Sequence, residues 1–210
     1  MRSNSQITVD LAPYLNNAGI ASSCAPVAEG LDGMGTIFQA EGLPASGVTV
    51  DCNGTQFAFP NKRDGVRDNI ACEAQEIPLP VGCYRALHVL GICDWRATAE
   101  IILLYSPDGS CTQATLGLSD ASHYKGLQYG EHEALTGQLI TPDGLIPHVF
   151  LFGITPPSKG RQMYETHIEA GIWHQVIELK ETLLLSHLVT PDNPFMHIFA
   201  LTLCQEEGLS

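Results

Sequence analysis

Short runs of alternating apolar and polar residues dominate this chain, and none continues at the spacing of an amphipathic helix. Gln6 to Ala12 alternates as a first strand. Thr36 to Ala40 is a short second one, closed by Glu41-Gly42-Leu43-Pro44. Val48 to Cys52 and Thr55 to Phe59 flank Asn53-Gly54, and Asn-Gly between two alternating runs predicts a type I′ hairpin, because both turn residues need positive φ. Ala71 to Ile77 and Arg85 to Ile92 read as strands separated by Pro78 to Gly82. Ala97 to Tyr105 and Ser110 to Leu116 make a second hairpin around Pro107-Asp108-Gly109. Ser119 to Thr141 is a long variable stretch rich in Gly, His and Tyr. Pro142-Asp143-Gly144 then turns into His148 to Ile154, and Tyr164 to Ile168 leads into the last segment. That segment, Ile172 to Leu203, reads as three strands: Ile172 to Ile177, Leu183 to Leu188 after the polar break Lys180-Glu181-Thr182, and Met196 to Leu203 after the turn Pro191-Asp192-Asn193-Pro194. Short strands and frequent turn signals predict an all-β, antiparallel sandwich. With no repeat, linker or composition shift, residues 1–210 form one domain.

Composition narrows the partners. The net charge is −13, with only ten Lys and Arg, so no basic stripe is available for a nucleic-acid backbone or an anionic membrane. No apolar run approaches the roughly 20 residues of a membrane helix, and the N-terminus lacks the apolar stretch of a secretory signal. Seven cysteines are scattered without a C-x-x-C pair, which speaks against zinc-ribbon and thioredoxin-like sites. These features together predict a cytoplasmic protein. One or two disulfides, and a homodimer, stay open.

Several segments carry a resemblance. VDLAPYLNNAGIASS (Val9 to Ser23), LDGMGTIFQAEGLPASG (Leu31 to Gly47), VDCNGTQFAFPN (Val50 to Asn61), DNIACEAQEIPLP (Asp68 to Pro80), YRALHVLGI (Tyr84 to Ile92) and TPDNPFMHIFALTL (Thr190 to Leu203) resemble the galactose-binding-like, carbohydrate-binding-module-like domains appended to bacterial glycoside hydrolases. The likeness runs in order over most of the chain and is weakest from Ser119 to Tyr164. It implies a jelly-roll, galactose-binding-like sandwich and contact with carbohydrate.

The candidate chemistry is dispersed. A sugar site needs aromatic faces for C–H surfaces and Asn, Asp or Glu for hydroxyls. Trp95, in the loop Asp94-Trp95-Arg96, and Trp173, in a strand, are the only tryptophans. With Asn16, Asn17, Asn69 and Tyr164 they form the candidate ligand-binding set. The alternatives are that both tryptophans belong to the core and that the asparagines serve turns. Asp32, flanked by Gly33, and Glu41, before Gly42, are candidate site carboxylates, since a buried carboxylate needs a partner or a task. No cofactor is called for, and a structural Ca²⁺ would draw on the same oxygen donors. Of eight histidines, none falls in a compact metal motif. Glu165 and His167 share a strand face by period two, and His174 lies just beyond; such groups can exchange protons near neutrality. An exposed polar face is the plain alternative for them. His88, between Leu87 and Val89, reads as a hydrogen-bonded interior histidine.

No G-x-S-x-G, P-loop or dinucleotide fingerprint occurs. Two functions fit what is left best, beside the plainer alternative of an interaction scaffold that takes no small ligand. One is a cofactor-independent cyclase or isomerase that positions a small organic substrate and moves protons through Asp32, Glu41, Glu165, His167 or His174. The other is non-catalytic carbohydrate binding.

Overall fold

Three long strands carry the architecture, and two of them run straight through segments whose sequence announces a break. The computed structural model describes residues 5–22, 30–33, 35–122, 126–141 and 166–205. In chain order the strands are β1 (Ser5–Thr8), β2 (Ile20–Ala21), β3 (Ile37–Gln39), β4 (Thr49–Cys52), β5 (Thr55–Ala58), β6 (Ile70–Glu73), β7 (Glu76–Cys93), β8 (Thr98–Tyr105), β9 (Cys111–Leu118), β10 (His132–Thr141), β11 (Thr166–Val189) and β12 (Asp192–Gln205). Two short 3₁₀ turns, Ala12–Tyr14 and Ala40–Gly42, are the only helical elements among the described residues. None of the described helices is long and apolar enough to cross a membrane.

Ten strands form one sheet along the path β1-β12-β7-β11-β10-β3-β2, with β6 joined to β12 and the β8–β9 hairpin joined to β11. All pairings are antiparallel except β2 with β3. The β4–β5 hairpin is a separate two-stranded sheet. Its turn is the one predicted, with φ of 55° at Asn53 and 79° at Gly54.

Proline and charge did not end the long strands, because bulges absorb them. Opposite β7, the β11 register jumps between Glu178 and Leu183, so Leu179 to Thr182 face only Arg85. The polar break at Lys180-Glu181-Thr182 is therefore a bulge inside one strand rather than a turn between two. The opposite imbalance follows: Leu79, Pro80 and Val81 of β7 face only Ser186. A proline costs no ladder hydrogen bond where the ladder is already interrupted. The Pro78 to Gly82 separator thus lies within β7, and Pro191 to Pro194 is largely the start of β12. The first strand ends at Thr8 rather than Ala12, and the stretch from Ser119 to Thr141 contains β10.

The large sheet is covered on both sides, the second side in part by the β4–β5 hairpin and the segment after it, which supply Cys52, Phe57 and Phe59. Leu87 and Val89 of β7 pack with Ile102, Leu116, Ile177 and Leu203 in one core. Leu90 and Ile92 pack with Phe38, Phe57, Ile172, Trp173 and Phe199 in a second. The second half of β7 and most of β12 are consequently buried on both faces, which explains their nearly unbroken apolar sequences. The six described cysteines are all free, Cys72 and Cys93 sitting in the first core and Cys52 in the second.

Candidate active site

A buried polar network sets up one end of the sheet. Asp68, fully buried, accepts backbone N–H bonds from Gly19 (3.0 Å) and Ile20 (2.8 Å) and one from Asn69 Nδ2 (2.7 Å). Asn69 Oδ1 accepts from Asn17 Nδ2 (3.1 Å) and meets His197 Nδ1 at 2.8 Å. His197 Nε2 meets the Leu31 carbonyl at 2.9 Å. Burial holds the Asp68 carboxyl up at about 7 and pushes the His197 imidazole down to about 4. Asn16 bonds the backbone of Ala71 through both ends of its amide. The three asparagines expected to hold a ligand are therefore committed to protein partners, and the network fixes the Leu31 carbonyl, one residue before Asp32.

The Leu31–Thr36 loop above that anchor closes on itself. Leu31 N–H donates to the Thr36 carbonyl at 2.7 Å, and Asp32 Oδ1 accepts the Thr36 N–H at 3.0 Å. Glycines at 30, 33 and 35 take positive φ. Gly30 is also hemmed in, since a Cβ there would lie 2.4 Å from the Thr36 carbonyl oxygen, whereas Gly33 faces open space.

A second prop comes from Trp173, which is buried rather than open to ligand. Its indole N–H donates to the carbonyls of Ser119 (3.2 Å) and Asp120 (3.0 Å). Ser119 O also receives the Cys93 N–H, and Cys93 O the Ala121 N–H. The Ser119–Ala121 backbone is thereby clamped beside the end of β7. Asp120 accepts the Ser122 N–H at 2.9 Å.

These props surround Asp94, the residue after β7. Its N–H donates to the Phe195 carbonyl at 2.7 Å and its carbonyl accepts the Arg96 N–H. Its carboxyl oxygen Oδ2 is buried with no hydrogen-bond partner among the described residues. Burial first, then the negative charge of Asp32, and to a smaller degree that of Asp120, hold the carboxyl up at about 7. The next residue, Trp95, adopts φ of 71°, a left-handed conformation that bulky side chains avoid and that costs on the order of 1–3 kcal/mol. Trp95 is 53% exposed, and Phe195, across the Asp94–Phe195 bond, is 46% exposed. A carboxyl that keeps its proton to neutrality, two further acids and two open aromatic faces thus meet at one sheet end. Such a carboxyl can both give and take a proton near pH 7.

A family model for the AziU2-like β-sandwich domain matches residues 4–207. The chain belongs to that family. No curated protein matches the sequence of this AziU2-like domain.

The other anticipated residues of the AziU2-like domain lie elsewhere. Glu41, in the second 3₁₀ turn, lines an open cleft of about 610 Å³ with Gln39, Gln138 and Glu169. His174 is buried, its Nε2 2.9 Å from His88 Nδ1, which also meets Thr55 Oγ1 at 3.2 Å. The His174 Nδ1 has no partner among the described residues. Burial, with the neighbouring His88 and His132, pushes the His174 imidazole down to about 4. The paired rings bear out His88 as a hydrogen-bonded histidine, here half-buried. Tyr164 and Glu165 lie outside the described residues, as does the side chain of His167, whose backbone pairs with Ile140. Among the described residues, no group of three His, Cys, Asp or Glu side chains is arranged to hold a metal ion.

Sequence reasoning reached Asp32 and Trp95 and missed Asp94 and Asp120. The signal was present in Asp94-Trp95-Arg96, singled out for its tryptophan alone. Glu131 is buried and ties down the Ser119 (2.6 Å) and Tyr129 (2.8 Å) N–H groups, whereas His132 faces solvent.

Proposed function

We propose that this domain binds a small organic molecule at the Asp94 end of the sheet and transfers protons on it, as a cyclase or isomerase. The observation that carries the reading is the Asp94 carboxyl, whose Oδ2 is buried and unpartnered beside the strained, exposed Trp95. The carboxyl accepts the Trp95 backbone N–H, but its Oδ2 has no partner among the described residues; a buried polar oxygen left dry is expensive, and retaining one next to backbone strain points to a task. Asp94 is the general acid and base. Asp32 and Asp120 keep its proton in place, and Trp95 and Phe195 offer the flat apolar faces on which the substrate is oriented. Glu41 and His174 stand apart from this centre. A cytoplasmic setting and the absence of a required cofactor belong to the same proposal.

The test is a turnover screen of apolar cyclic and polyene-like substrates with the intact protein and with Asp94→Asn. Turnover should rise or fall through a pKa near 7 and drop by about 100-fold or more in Asp94→Asn, while a thermal shift shows that the variant still binds. Full turnover by Asp94→Asn would sink the assignment.

The second reading, carbohydrate binding without chemistry, is favoured by one observation: Trp95 and Phe195 are both exposed, and the bond from the Asp94 N–H to the Phe195 carbonyl ties their two segments together. Aromatic platforms of this kind hold sugars through their C–H faces. Stabilisation by saccharides alone, lost in Trp95→Ala and kept in Asp94→Asn, would establish it in place of the enzyme.

A further inference from the structure

A second concave site, which shares no residue with the Asp94 centre, opens between the segment that follows β1 and the loop before β6. It encloses about 320 Å³, near the lower end of volumes that hold small ligands. Val9, Leu11, Phe59 and Phe199 line it and are each at least nine-tenths buried, so they form an apolar floor. Asp10 and Arg67 line it as exposed residues, so opposite charges stand at its mouth. The two do not pair with each other. Asp10 spends one carboxylate oxygen on the Ala12 N–H at 3.0 Å, and Arg67 makes no hydrogen bond or ion pair among the described residues.

We infer that this cleft binds a free α-amino acid with an apolar side chain. Its ammonium group would meet Asp10, its carboxylate Arg67, and its side chain the floor of Phe59 and Phe199. The chemistry selects this class. A simple apolar acid would bring its charge to Arg67 but also to Asp10, and a simple amine would do the reverse. A sugar would leave the floor poorly used. Only a zwitterion with an apolar tail satisfies both charges and the floor. In a chain of net charge −13 with ten Lys and Arg, an arginine at the mouth of an apolar cleft is a specific placement, and a guanidinium suits a planar carboxylate.

Calorimetric titration of the full chain with L-phenylalanine, L-leucine, phenethylamine, 3-phenylpropionate and glycine tests this. The expected result is saturable binding of the two apolar amino acids. The amine, the acid and glycine should each bind at least about tenfold more weakly, each lacking one of the three contacts. Arg67→Gln should weaken L-phenylalanine and 3-phenylpropionate about tenfold and leave phenethylamine unchanged. Asp10→Asn keeps an oxygen for the Ala12 N–H, so the fold is retained, and it should weaken L-phenylalanine and phenethylamine alone. No binding at millimolar concentration, equal binding of all five probes, or L-phenylalanine affinity untouched by Arg67→Gln in a variant that melts like the wild type would each overturn the inference. Because neither residue belongs to the Asp94 centre, failure here is separable from failure there.

Discussion

Asp94 shows how a single carboxyl makes stability depend on pH. Its pKa rises from an ordinary carboxylate value to about 7 in the folded state. A raised folded pKa contributes stability below the unfolded value, near 4, and that contribution is lost as the pH climbs towards 7. Asp94→Asn removes the loss. We expect the variant to gain on the wild type by on the order of 2 kcal/mol between pH 5 and pH 8, read from melting temperatures at the two pH values. The histidines act in the opposite sense. His174 and His197 are depressed to about 4, so the stability they hold above roughly pH 6.5 is lost as pH falls to 4. His174→Gln should cost about 1 kcal/mol at pH 7.5 through the lost bond to His88, and it should flatten the acid limb of the stability curve. Unchanged acid sensitivity in that variant would show that His174 is not buried as the neutral ring. None of this was legible in the sequence. Asp94, Asp108 and Asp120 are alike as letters, and only the packing around Asp94 leaves an oxygen dry.

At the level of elements, the loop before β3 is the joint between the polar network and the site. Gly30 and Gly33 share φ of 67°, but only Gly30 meets backbone where a Cβ would go. Gly33→Ala should therefore cost about 1 kcal/mol, the price of the left-handed conformation alone. Gly30→Ala should cost several times more and displace Asp32, lowering the Asp94 pKa as well, which a carboxylate titration would read. Hairpins were the most legible elements, because Asn53-Gly54 and Pro107-Asp108-Gly109 state their geometry locally. The interruptions in β7 and β11 were not, since a bulge in one strand is defined by its partner. Pro80 looked like a boundary until Ser186 lay opposite it.

Across the whole molecule, two cores share the same strands. Leu87 and Leu90, three residues apart on β7, face the first and the second core respectively. Each truncation to Ala should cost about 2–5 kcal/mol. In both variants, unfolding followed by far-ultraviolet dichroism and by tryptophan fluorescence should still coincide, since neither core can open without releasing β7. Separate transitions would mean that the cores are independent units. The all-β sandwich was readable from the density of turn signals. The way the large sheet is covered on both faces was not, because burial on two sides erases the alternation from which strand faces are read.

β12 is the last of the described strands and an interior one, with β1 and β6 on one side and β7 on the other. Its placement reaches into the protein's synthesis. Until residue 205 has left the ribosome, β1 and β6 lack β12, their one partner among the described strands, and β7 carries an open edge lined with apolar side chains. The nascent chain must therefore wait, with pairing-competent edges exposed, for β12. Chains stalled before β12 should therefore aggregate more readily than chains that have released it.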